Sequence, residues 1–248
     1  LCADKTGTLT EGVVRLHAAL DADGNASDEV LLHAQLNAAF ESGFPNPIDE
    51  ALRQLPCPDL GAYVKVDEVP YDFIRKRLSV VVRHTTPSAD AGRHTMITKG
   101  ALQNVLSVCT GARTLIGSGA ARTVPMAEAR AALQQRYETC SEQGYRVLGV
   151  AVRDVTGDPI INKDDEQQMT FVGFLLLEDP PKAGALDAIA ELRRLGVALK
   201  IITGDNRLVA GRMGRHMGVE RPTVLTGEEL RRLSDTALLQ RVGEVDIF

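Results

Sequence analysis

The sequence predicts an α/β protein, part of a parallel sheet into which an α+β module of mainly antiparallel strands with flanking helices is inserted. Three observations carry this. From Asp179 onward helix and strand patterns alternate, as in βαβ units. Between Val14 and Glu178 strand patterns cluster with few crossover helices. Asp4 follows a short apolar lead-in, Leu1 to Ala3, as a residue at the carboxyl end of a buried parallel strand does.

Taken in order, the first helix is expected in "SDEVLLHAQLNAAFESG", capped by Ser27 or Asp28. In "NPIDEAL", Asn46 stands as cap and Pro47 at the first helical position. Strands are expected at "RLSVVVRH", "HTMITKG", "YRVLGVAVRD" and "MTFVGFLLLE", and a further helix at "PMAEARAALQQRYETCSEQG". The segments "TPSADAGRH" and "IGSGAAR" read as loops. Beyond them, "DPPKAGALDAIAELRRLG" places Pro181 near a helix start and Gly196 just past its end; "VALKII" is a buried-strand run, and "RLVAGRMGRHMG" a helix closed by Gly218.

Composition narrows the function. The 248 residues are 44% hydrophobic and 25% charged, ordinary for one large or two medium domains. A formal charge of 28 minus 33, or −5, argues against nucleic acid as a partner. Cys2, Cys57, Cys109 and Cys140 form no C-x-x-C pair and have no histidine at zinc spacing, so they read as reduced thiols. His17, His33, His84, His94 and His216 show no metal-ligand spacing either. The longest apolar run, "FVGFLLL", is strand-sized, far short of the ~20 residues of a membrane span. No signal peptide is evident, and both ends read as cut, with three residues before Asp4 and a strand-like "VDIF" at the far end. No G-x-x-x-x-G-K-[ST] or G-x-G-x-x-G fingerprint occurs.

The stretch "DKTGTLT" carries the sharpest chemistry. An ionised carboxylate is a usable nucleophile toward a phosphoryl group when cations and N–H groups neutralise the incoming charge. Asp4 is the candidate acceptor, Lys5 adds positive charge, and Gly7 permits close approach of backbone to ligand. If the strand before Asp4 shares a sheet with the βαβ part, Asp4 and the "TGD" of Thr203, Gly204 and Asp205 lie on one rim, where open α/β sheets bind ligands.

"DKTGTLT", "KGA" at Lys99 to Ala101, "DPPK" at Asp179 to Lys182 and "TGD", in that order, resemble the cytoplasmic catalytic region of the P-type cation-transporting ATPases. "LNAAFESGFPNPIDEAL", "VDEVPYDFIRKRLSVVV" and "TKGALQNVLSVCT" look most like the bacterial magnesium-importing branch. The resemblance implies a haloacid-dehalogenase-like phosphorylation domain, present in part as residues 1–13 and 179–248, and an inserted nucleotide-binding domain at 14–178. It implies ATP and Mg²⁺ as cofactors, with Asp4 and the carbonyl of Thr6 toward the metal and the Thr6 hydroxyl toward the phosphate. Thr203 would bond the transferred phosphoryl group and Asp205 hold the lysine and nucleotide geometry. The partners implied are ATP, a cation carried by an absent membrane domain, and the parent's actuator and transmembrane domains, the whole standing on the cytoplasmic side of a bacterial inner membrane.

Phosphatases of the same fold carry a second Asp two residues after the nucleophile as general acid and base. Thr6 stands there instead, so the acyl-phosphate is expected to persist until another domain positions water. The isolated piece is expected to bind ATP weakly without turnover, because further site residues of the family lie past Phe248. The alternatives are a soluble phosphatase of this fold, a P-type ATPase for another cation such as calcium, and a catalytically silent nucleotide-sensing module.

For the adenosine end, the resemblance assigns Tyr71 to stack on adenine, with Phe73 as rival, and Lys76 beside it. It sets Lys99, ahead of Gly100, at the pocket bottom, and Arg146 toward phosphates or ribose. Each has a plainer alternative. "IRKRL" reads equally as a charge-protected strand edge, and Lys99 as an exposed strand end. Asp49 suits a helix N-terminus as well as an adenine amino group, which the family usually meets with a Glu. Asp179 could cap the next helix or belong to the hinge strand and touch nucleotide.

Overall fold

The computed structural model describes residues 1–43, 46–57, 59–85, 93–116, 120–156 and 159–248. In chain order the elements are β1 (Cys2–Asp4), β2 (Arg15–Asp21), α1 (Asp28–Phe40), α2 (Pro47–Arg53), β3 (Tyr63–Val69), β4 (Arg77–His84), β5 (His94–Ala101), α3 (Leu102–Leu106), β6 (Cys109–Ile116), β7 (Ala120–Pro125) and α4 (Met126–Glu142). There follow β8 (Arg146–Val155), β9 (Met169–Glu178), α5 (Ala185–Arg194), β10 (Lys200–Ile202), α6 (Arg207–His216), α7 (Gly227–Arg231) and α8 (Asp235–Arg241). The chain divides into two compact units, one of Leu1–Val14, Glu138–Arg146 and Glu178–Phe248, the other of Arg15–Tyr137 and Val147–Leu177.

The larger unit is built on an eight-stranded sheet, ordered β3-β4-β5-β8-β9-β6-β7, with β2 paired to β9. Its pairs β3–β4, β4–β5, β5–β8 and β6–β7 are antiparallel and β6–β9 is parallel, so the sheet is mixed but keeps the mainly antiparallel character that the sequence suggested. "RLSVVVRH" forms β4 residue for residue, its β-branched run buried on both faces. Since β4 lies between β3 and β5, "IRKRL" does not lead into a sheet edge.

Ser27 caps α1 by accepting from the Val30 N–H at 3.3 Å. This helix buries Gln35 and Asn37 as well as Val30, Ala34, Leu36 and Ala38. Both amide nitrogens meet backbone carbonyls: Asn37 Nδ2 donates to that of Ile97 at 2.9 Å, and Gln35 Nε2 to that of Pro56 at 3.1 Å, while Asn37 Oδ1 is buried without a partner among the described residues. Of the loop read at 86–94, residues 86–92 lie outside the described residues and His94 opens β5; of that read at 116–122, residues 117–119 lie outside them while Ile116 and Ala120–Arg122 belong to β6 and β7; Phe44 and Pro45 of "ESGFPNP" also lie outside.

In the smaller unit β1 and β10 pair in parallel, with Asp4 opposite Ile202. The "VDIF" segment runs alongside, Ile247 bridging in parallel to both Ile201 and Val224. Leu9, Ile189, Ile201, Ala210, Met217 and Ile247 form the core beneath. Two expectations need correction. Only Lys200–Ile202 of "VALKII" is strand, and α5 begins at Ala185 with Gly184 as cap, not near Pro181. Pro181 is instead held in an antiparallel bridge to Thr10, and that long-range pairing draws the segment away from the helix. The far ends of α5 and α6 do close at Gly196 and Gly218, at φ 75° and 80°.

Candidate functional site

The first cluster belongs to the smaller unit. Asp4 ends β1 with an exposed side chain that caps nothing, and the chain turns directly after it. Thr6 (φ −72°, ψ 125°) and Gly7 (φ 75°, ψ −12°) have the angles of a type II turn, whose third position needs positive φ. That requirement explains the glycine independently of any ligand. Lys5 Nζ lies 2.6 Å from Asp205 Oδ2, both side chains being largely buried. On the β10 side, the Asp205 N–H donates to Thr203 Oγ1 at 3.1 Å, which leaves the Thr203 hydroxyl proton available. Asn206 then caps α6 through the N–H groups of Leu208 and Val209. Nothing lies within 4 Å of where a Cβ on Gly204 would stand. Asp4, Lys5, Thr203, Gly204 and Asp205 are thus gathered at the carboxyl ends of two paired parallel strands.

Two contributors to this loop carried no assignment in the sequence reading, Thr10 and Lys182. Thr10, 2% exposed, donates its hydroxyl proton to Asp179 Oδ2 at 2.6 Å and accepts from the Gly7 N–H at 3.2 Å. Asp179 Oδ1 accepts from the Gly12 N–H at 3.0 Å. The Lys182 ammonium reaches the Gly7 carbonyl, and its N–H bonds the Leu9 carbonyl at 3.0 Å. Asp179 therefore does not cap α5; its two oxygens brace the loop that follows Asp4. The repeated threonines of "DKTGTLT" were the available signal for Thr10.

The second cluster belongs to the larger unit. Asn46 Oδ1 caps α2 by accepting from the N–H groups of Ile48 and Asp49, at 3.1 and 3.0 Å. Asp49, one turn in, is buried and ion-paired with the equally buried Lys99 of β5. Lys99 is thus not the exposed strand end that was one of its readings. Burial draws its ammonium below the ordinary lysine range, opposed by the charge and hydrogen bond of Asp49. Gly100 follows because β4 passes too close for a side chain: a Cβ there would stand 2.4 Å from the Lys76 carbonyl oxygen.

Tyr71 and Phe73 are exposed, 46% and 86%, and meet edge to face with ring centroids 5.6 Å apart. Lys76 is exposed and held at φ 51°. Its neighbours Arg75 and Arg77 turn inward to the carboxylate of Glu166, a residue that sequence reasoning missed. Arg146, the last residue of the Glu138–Arg146 segment that belongs to the smaller unit, opens β8 with an exposed side chain. A separate cavity of about 310 Å³ opens on α1 and the sheet, lined by His33, Tyr63, His84, Thr95 and Ile97 among others, none of them a sequence candidate. Among the described residues no group of three or more His, Cys, Asp or Glu is arranged to hold a metal. No helix among them is long and apolar enough to cross a membrane.

Comparison with known proteins places the chain in a family. The family model for the P-type ATPase cytoplasmic domain N matches residues 60–184. A magnesium-transporting ATPase, P-type 1, from Salmonella typhimurium strain LT2 is 37% identical over the whole of this chain, and its Escherichia coli K12 counterpart 33%. Calcium-transporting ATPase 1 of Bacillus cereus is 25% identical, also over the whole chain. The chain spans 27% of the length of the two magnesium transporters and 30% of the calcium transporter. With identity at this level running from the Asp4 turn through the domain-N match to the last helix, the chain belongs to the P-type ATPase family.

Proposed function

We propose that this chain is the ATP-binding and phosphorylation region of an ATP-driven cation pump, with magnesium as the transported ion, and that it works through an aspartyl-phosphate on Asp4. One observation carries the reading. An exposed carboxylate stands at the carboxyl ends of two paired parallel strands, next to a lysine paired with the Asp of "TGD".

In this reading residues 1–13 and 179–248 form the haloacid-dehalogenase-like phosphorylation domain, which the parallel pairing of β1, β10 and Ile247 supports. Residues 14–178 form the nucleotide-binding domain. A carboxylate oxygen of Asp4 attacks the γ-phosphorus of ATP; the bond to the β–γ bridging oxygen breaks, and ADP leaves. Lys5 supplies positive charge, Asp205 holds it in place, the Thr203 hydroxyl donates to a phosphoryl oxygen, and Gly204 leaves the backbone open to the ligand. Mg²⁺ takes oxygen ligands and is commonly held by one or two carboxylates plus substrate phosphates, so Asp4 and the Thr6 carbonyl fit its donor set. When bound it neutralises phosphate charge. Thr6 neither takes nor gives a proton near neutral pH, so the acyl-phosphate persists.

At the nucleoside end, Tyr71 or Phe73 presents a ring face to adenine, Lys99 and Asp49 form the floor, Lys76 and Arg146 meet phosphates or ribose, and Asp179 acts by bracing the loop. Magnesium is favoured over calcium because the magnesium transporters share the higher identity. The pump would present this region on the cytoplasmic face of a membrane, working with membrane and actuator domains. The test is labelling of the full-length protein with γ-labelled ATP. An acid-stable, hydroxylamine-sensitive label that vanishes in Asp4→Asn is expected; a label that survives Asp4→Asn sinks the proposal. Turnover at fixed Mg–ATP that responds to calcium and not to the magnesium gradient overturns the choice of ion.

A further inference from the structure

We propose that Glu166 is a positioning residue for nucleotide binding: its buried carboxylate anchors Arg75 and Arg77 and thereby fixes the Pro70–Lys76 turn that carries Tyr71 and Lys76. The proposal rests on the nucleotide-binding reading of that turn.

Glu166 sits in "KDDEQQ", a run that by composition belongs on a solvated surface, yet its side chain is fully buried. A buried carboxylate is tolerated only when charge and hydrogen bonds replace the water it has lost. Here Oε2 takes the Arg75 Nη1 and the Arg77 Nε, the latter at 2.9 Å, and Oε1 takes the Ser79 hydroxyl at 2.7 Å. Ser79 spends its proton on Glu166, so Thr98, 2.7 Å away, must donate to Ser79 and tie β5 into the same network.

The network then reaches outward into the turn. Arg75 also bonds Asp72 through Nε and donates from Nη2 to the Pro70 carbonyl at 2.6 Å. Asp72 Oδ1 accepts from the N–H groups of Ile74 and Arg75, and the Lys76 N–H closes on the Asp72 carbonyl at 2.8 Å. From the other side the Lys76 carbonyl accepts from the Ala101 N–H at 2.9 Å, against the bare Cα of Gly100. Arg75 is therefore a rivet: its guanidinium joins both ends of the turn to a carboxylate some ninety positions away in sequence.

The rings of Tyr71 and Phe73 are exposed and meet each other edge to face. The shape of the turn decides where they stand, and a turn ordered before the ligand arrives avoids the loss of affinity that ordering it on binding would bring. Arg75 and Arg77 are thereby assigned to Glu166, which leaves Lys76 as the cation of "IRKRL" that faces solvent and is available to a phosphate.

The test measures the ATP dissociation constant and the KM and kcat for ATP in the full-length protein carrying Glu166→Gln, Glu166→Asp, Arg75→Gln or Tyr71→Ala. The expected result is a roughly tenfold weaker ATP affinity and higher KM in Glu166→Gln and Arg75→Gln. Their kcat at saturating ATP should stay within about twofold, since Asp4 chemistry is untouched, and Glu166→Asp should recover part of the affinity. Arg75→Gln leaves Arg77 against the carboxylate and covers the case in which Glu166→Gln does not fold. Wild-type ATP affinity in Arg75→Gln and in folded Glu166→Gln, with Tyr71→Ala weakened, overturns the positioning role alone. Wild-type affinity in Tyr71→Ala as well overturns the nucleotide reading beneath it.

Discussion

Lys99 and Asp49, fifty positions apart, form an ion pair in which the two side chains are only 3% and 1% exposed. The sequence reading assigned both to one ligand surface on motif position, and the fold joins them directly. A pair this deep is a poor source of stability on its own, because desolvation offsets its attraction, but breaking it strands a charge.

Lys99→Met in the 248-residue chain is therefore expected to lower unfolding stability by about 3–5 kcal/mol, since Asp49 keeps Asn46 as a partner but loses its counter-charge. Adding Asp49→Leu should restore most of the loss. Urea denaturation of the two singles and the double gives the coupling directly; a double mutant as unstable as the sum of the singles would show that the pair is not the unit.

How legible all this was in the sequence depends on the range of the signal. Ser27, Asn46 and Gly218 announce helix ends within four residues of themselves, and the "SVVV" of β4 is a strand signal complete in its own window. The β6–β9 pairing joins Cys109 to Met169, and no local pattern encodes which strand a parallel partner will be. Pro181 misled because a proline before a helix is a local cue, whereas its bridge to Thr10 is not. Glu166 is the sharpest case: "KDDEQQ" has the composition of a surface run, and only the approach of Arg75 and Arg77 makes one of its carboxylates part of the interior.

The Thr10–Asp179 bond leads to a prediction at the other cluster. Thr10→Val keeps the shape but removes the proton that satisfies Asp179 Oδ2 and the oxygen that meets the Gly7 N–H. Asp179 is half-buried, so losing its donor costs less than the about 1–3 kcal/mol of a fully buried acceptor, and the melting temperature should fall modestly. Phosphorylation of Asp4 should fall further than stability explains, because the loop after the acceptor loses its brace. Thr10→Ser, which keeps the hydroxyl, should rescue the label. Equal labelling of Thr10→Val and wild type would mean that the brace has no part in the chemistry.

His33 supplies the pH dependence. Burial between α1 and the sheet drives its pKa down from 6.5 to about 4; Glu29 opposes that shift, while Arg113 and Arg93 add to it. Asp154, His84 and Tyr63 line the same cavity. The unfolded chain therefore takes a proton on this residue near pH 6.5, and the folded chain only near pH 4. Between those values the unfolded state binds more protons, so stability falls as the pH falls through the window and levels off below it. The span of about 2.5 pH units corresponds to about 3 kcal/mol at most. His33→Gln removes the titration and leaves every carboxylate in place. The difference in urea midpoint between pH 7.5 and pH 4.5 should accordingly be smaller in His33→Gln than in the unmodified chain, by an amount equal to this one residue's share. An identical pH slope in the two proteins would show that His33 is protonated in the fold at its ordinary pKa and that burial exerts no such hold on it.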